Sequence, residues 1–148
     1  MKKNIIDKLN KILINTLDYK EVLGKLASSI THGATGDKLK ELAEVADRES
    51  KSLVKIISDI GGNVESTERK TDQESIYWVS RPLPNAQDMQ EVLPCLIEAE
   101  RSKEKDYNEV IGHEDIQRET ANQLGKHRKE AEATLRYFQT IEAQKEKT

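Results

Sequence analysis

Eight residues, Ile5, Leu9, Ile12, Thr16, Tyr19, Leu23, Leu26 and Ile30, follow one another at spacings of 4, 3, 4, 3, 4, 3 and 4. At about 100° per residue this alternation keeps all eight on one side of a continuous helix, the seam pattern of a helix bundle. A stripe of that length has to be covered by other helices, and three more stripes follow. Helix two carries Leu39, Leu42, Ala46, Glu49, Leu53, Ile56 and Ile60. Helix three carries Met89, Leu93, Leu96, Glu100, Lys103, Tyr107 and Val110. Helix four carries Ile116, Thr120, Leu124, His127, Ala131, Leu135, Phe138 and Ile141. The expected fold is all-α, a four-helix bundle in one domain over 1–148, with helices near 4–30, 37–60, 87–111 and 114–143.

Glycines and polar residues punctuate the stripes. Thr31-His-Gly-Ala-Thr-Gly36 ends helix one, and Thr35 or Asp37 can cap helix two. Gly61-Gly62 stops helix two, and Asp88 with Glu91 reads as a capping box for helix three. Pro94 predicts a kink or a late start there. Gly112 closes helix three, and Glu114 and Asp115 suit the positive end of helix four. Gly24 and Gly125 inside helices suggest close helix approach, since each costs ~1 kcal/mol against alanine.

Short loops make helices one and two, and helices three and four, antiparallel hairpins. The connection between the hairpins, 63–86, has 24 residues, enough to return along a bundle ~37 Å long. A bundle whose second and third helices run parallel needs such a crossover. A simple up-down bundle with a large excursion is the alternative. Ile76-Tyr-Trp-Val79 and Leu83 are too apolar to float free, and Trp78 reads as an anchor on a helix face.

Composition narrows the function classes. With 4% aromatic and 34% charged residues the chain suits neither a sandwich nor a barrel. No apolar run approaches the ~18 residues of a membrane span. Twenty-four basic against 27 acidic residues, net −3, give no general attraction to nucleic acid. One cysteine, Cys95, excludes an internal disulfide and a multi-cysteine metal cluster and suits a reducing cytoplasm. Asp7, Lys8 and Lys11 interrupt any signal-peptide core. Gly33 and Gly36 lack the lysine and strand of a phosphate loop. Ile14, opposite the stripe, with Ile6 and Leu17, offers a homodimer face.

Several polar residues fall on the seams. His127 lies within ~20° of its stripe centre, Glu100 and Lys103 within ~30° and Glu49 within ~45°. Tyr19 and Glu49 are each 15 residues from Ala34, the middle of the first loop, so they share a level. Glu100 and His127 stand at nearly equal distances from the second turn, within ~3 Å along the axis. Tyr19, Glu49, Glu100 and His127 are therefore expected to meet near mid-bundle. Buried carboxylates need compensation. Lys103, His127 and Arg48 could pair with them while tyrosines donate hydrogen bonds. Alternatively Glu49, Glu100 and His127, with Glu130 one turn beyond His127, could bind one iron or manganese ion. A di-iron centre requires Glu-x-x-His on two helices, and residues 29, 110 and 124, three before each histidine, are Ser, Val and Leu.

In order, Leu9-Asn10 with Leu13 and Asp18, Leu39-Lys-Glu-Leu42 with Arg48 and Leu53, Gly61-Gly62, a lone tryptophan, Glu100 with Tyr107, and a mid-helix His127 span nearly the whole chain. In this order they resemble an uncharacterised bacterial family of ferritin-like four-helix-bundle proteins. The resemblance implies a ferritin-like fold with a crossover and no particular activity. The reading is a non-enzymatic cytoplasmic bundle, stress-related or partner-binding, with no catalytic residue and no cofactor; its alternative is the one-ion metalloprotein.

Overall fold

A computed structural model describes residues 2–30, 33–65, Trp78 and 89–146. Its helices are α1 (Lys2–Ser29), α2 (Gly33–Asp59), α3 (Met89–Ile111) and α4 (Arg118–Glu146), with no strand among the described residues. Among the described residues, no helix is long and apolar enough to cross a membrane. The most extensive packing is α1 on α2 and α3 on α4, with α1 also against α3.

All eight α1 stripe residues from Ile5 to Ile30 are buried, as are the seven α3 stripe residues from Met89 to Val110. Burial on α1 extends further than one stripe. Leu13, Ile14, Asn15, Asp18 and Val22 are also inside, so α1 is enclosed over most of its circumference. Ile14, expected as part of a dimer face, is 3% exposed within the single chain, and Ile6 and Leu17 pack half-buried against the core.

Several boundaries differ from the sequence reading. Helix α2 begins at Gly33, so Thr35 and Asp37 lie within its first turns and do not cap it. The helix starts this early because Gly36 lets it approach the end of α1: a β-carbon there would stand 3.2 Å from the Ile30 carbonyl oxygen. Helix α4 begins at Arg118, later than expected. Before it the Asp115 N–H donates to His113 Nδ1 (3.1 Å) and the Ile116 N–H to the His113 carbonyl (3.2 Å). Glu114 and Asp115 thus belong to the turn, and Glu119 supplies the acid in the first helical turn. Helix α3 runs from Met89 past Pro94, which is exposed, so the helix has no late start at the proline. Expectations for Asp88, Ile76, Tyr77, Val79, Leu83 and His32 lie outside the described residues.

The end of α2 is a Schellman motif. Gly61 adopts φ +86°, the Gly62 N–H donates to the Ile57 carbonyl (2.8 Å) and the Gly61 N–H to that of Ser58 (3.0 Å). Gly62 then lies against Ile6, whose side chain would stand 2.9 Å from an added β-carbon. The chain continues along α1 through Asn10. Its amide donates to the Asn63 carbonyl (2.9 Å) and accepts from the Glu65 N–H (2.9 Å), so a buried side chain satisfies two loop groups at once.

Gly24 and Gly125 have no atom within 4 Å of a built β-carbon, which overturns the close approach expected at both. Gly125→Ala should therefore raise stability by up to ~1 kcal/mol through helix propensity. Gly61→Ala, forced to positive φ, should lower it by ~1–2 kcal/mol. Urea unfolding of the two variants checks both signs.

Candidate functional site: a buried polar centre

Periodicity brings polar side chains inward at one level. Tyr19 from α1, Glu49 from α2, Glu100 and Lys103 from α3 and His127 from α4 are all between 1 and 7% exposed. Lys103 lies at the middle. Its Nζ is 2.6 Å from Glu49 Oε1 and 5.9 Å from the centroid of the Trp78 ring. Burial alone would lower its basicity, but the carboxylates of Glu49 and Glu100 outweigh burial and hold it above the usual lysine value. The group is an ammonium.

The carboxylates outnumber it. Glu100 is pushed above the usual range by burial, against the pull of Lys103 and Tyr19. The Tyr19 phenol is pushed far up by burial and by the charge of Glu100, so it keeps its proton. Tyr19 and Glu100 lie close enough to act on one another, yet neither the Tyr19 hydroxyl nor Glu100 Oε1 completes a well-formed hydrogen bond. Glu49 Oε2 is also without a partner. Each such atom costs on the order of 1–3 kcal/mol. Glu130, half-buried at the rim, stands beside Glu49. Burial first, and then the neighbouring Glu49 carboxylate, raise it to about 7. At neutral pH Glu130 is therefore about half protonated.

His127 closes a second link. Tyr107 Oη is 2.9 Å from His127 Nδ1, and His127 Nε2 is 3.1 Å from Ser52 Oγ. Tyr107 is fully buried, and its hydroxyl proton needs an acceptor, so the phenol donates to Nδ1. The remaining Nε2–H donates to Ser52. Burial, and then the Lys103 charge, lower His127 from 6.5 to about 4, so the ring is neutral at pH 7.

The structure thus gathers Tyr19, Glu49, Glu100, Lys103 and His127 as the stripe arithmetic predicts, with Glu130 beside them. Arg48, expected among their partners, is exposed. Tyr107, Ser52, Trp78 and Asp106 complete the centre. Tyr107 was on the α3 stripe, one turn beyond Lys103, and could have been assigned to it from that spacing. Ser52, three residues after Glu49, carries no signal of its own.

Among the described residues, no three His, Cys, Asp or Glu side chains are grouped to hold a metal. Both His127 nitrogens are engaged, and the Lys103 ammonium is paired with Glu49. Cys95 is a half-buried free thiol. Compared with family models, curated proteins and solved structures, the chain finds no match.

Two titrations oppose one another in this centre. His127 is depressed in the fold, so its contribution, about 3 kcal/mol in full, is lost as pH falls from about 6.5 to about 4. Glu130 is raised, so its contribution is present below about 4.5 and lost as pH rises towards 7. In Glu130→Gln the Glu130 slope is removed, and the gain in stability over wild type should be larger at pH 8 than at pH 4.5. Urea midpoints across this range check it; parallel curves for the two proteins would contradict the assignment to Glu130.

Proposed function

We propose that the chain is a non-enzymatic, ferritin-like helical bundle of the cytoplasm, with a stress-related or partner-binding role, in which a buried polar network holds the two helix hairpins in register. The observation that carries this reading is the 2.6 Å contact between Lys103 and Glu49, both buried. An internal ammonium takes the place that a metal ion would have in a ferritin-like centre and joins α3 to α2. His127 joins α4 to Ser52 of α2 in the same layer.

Helix directions support the crossover topology. Lys8 pairs with Glu109 (3.6 Å), and Tyr19 neighbours Glu100, so positions rise along α1 as they fall along α3. Lys20 with Asp47 (2.7 Å) and Asn10 with Asn63 (2.9 Å), just past the end of α2, give the same relation between α1 and α2. Helices α2 and α3 then point the same way, as a long crossover between hairpins requires.

A register role makes a specific demand. Breaking a buried pair leaves an uncompensated charge, so Lys103→Met should cost ~3–5 kcal/mol, and adding Glu49→Leu should restore a large part of that loss. If the pair fixes register, the apolar double variant keeps its helicity but shows several sets of amide resonances. A single sharp set would mean that apolar packing alone sets the register. Metal loading tests the rest: after incubation with iron(II), manganese(II) or zinc and desalting, no ion should stay near one per chain. Retention at that level, abolished by Glu100→Ala or His127→Ala, would overturn the reading in favour of a one-ion metalloprotein.

A further inference from the structure

Trp78 is held by three groups that recognise three different parts of an indole. The Tyr19 ring meets it edge to face, centroids 6.3 Å apart and planes at 82°. The Lys103 ammonium stands 5.9 Å from the indole centroid, within reach of its π face. The pyrrole N–H donates to Asp106 Oδ2 at 2.7 Å. The side chain is 4% exposed. A phenyl ring could satisfy the first two groups; the carboxylate acceptor selects a ring that carries an N–H at that corner.

The walls do not depend on Trp78 for their placement. Tyr19 lies on the buried α1 stripe, and Lys103 is fixed by its 2.6 Å contact with Glu49. Asp106 is on the same helix as Lys103, three residues on, so one helix face fixes the spacing between cation and acceptor. Loss of the indole would leave a preformed cavity of ring size, and such cavities bind ring ligands.

We propose that Tyr19, Lys103 and Asp106 form an indole-binding socket, with Trp78 as its resident intramolecular ligand, and that the emptied socket takes free indole through the N–H bond to Asp106.

The probe is indole, added to the full-length Trp78→Gly protein and followed by thermal melting. At a tenfold excess over its Kd, indole should raise Tm by about 3–5 °C. 1-Methylindole, which has the ring but no N–H, should bind at least tenfold more weakly, and the intact protein should show no shift. Should Trp78→Gly fold only when indole is present, that recovery of helicity also supports the socket. A second arm keeps Trp78: in Asp106→Leu, acrylamide quenching of this sole tryptophan should rise severalfold over wild type. No shift with indole, equal rescue by 1-methylindole, equal binding to the intact protein, or unchanged quenching in Asp106→Leu would each overturn the proposal.

Discussion

The contact between Lys103 and Glu49 sets the terms for the centre of this bundle. Taking both charges out of water costs several kcal/mol per ion, and a pair alone seldom repays that cost. Here the ammonium is also within reach of Glu100, Glu130 and the Trp78 ring, so one cation serves several anions and a π face. The excess of acid is absorbed by protons: burial raises Glu100 and Glu130, and neutral His127 adds no charge. Removing the lysine would leave the surrounding carboxylates no cation to answer. The layer therefore stands or falls as a unit.

Architecture and the inward set of charges were legible because both follow from helical period. A polar residue on an apolar stripe has to be buried if the stripe is, and Glu49, Glu100, Lys103 and His127 meet for that reason. Their partnerships were less legible. Ser52 and Asp106 are found only by knowing which rotamers reach across a helix pair. Arg48 lies one position before Glu49, and 100° of rotation takes it out to water. The helix starts also escaped prediction. Thr35 and Asp37 have the chemistry of caps, but the close passage at Gly36 lets α2 begin earlier, and His113 organises a turn where Glu114 and Asp115 suggested a helix.

The departure from α2 shows how a loop acquires a fixed starting direction. Gly61 reverses the backbone, Gly62 seats it against Ile6, and Asn10 binds it on both edges. None of these contacts is large. Together they satisfy the backbone groups that a chain leaving a helix would otherwise expose. Some 13 residues after Glu65, Trp78 fixes the connection to the bundle a second time, on α1 and α3.

The division of packing between and within hairpins bears on the order in which the chain can fold. Most helix contact is α1 with α2 and α3 with α4, between segments close in sequence, and such contacts form fast. The links across the centre join residues far apart: 54 positions separate Glu49 from Lys103, and 75 separate Ser52 from His127. They close only when the finished hairpins dock. A hairpin that docked one turn out of place, about 5.4 Å, could still bury leucine against leucine, but it would strand a lysine and its carboxylates in the dry interior. The charged layer penalises misassembly at the last step, where apolar surfaces alone discriminate least.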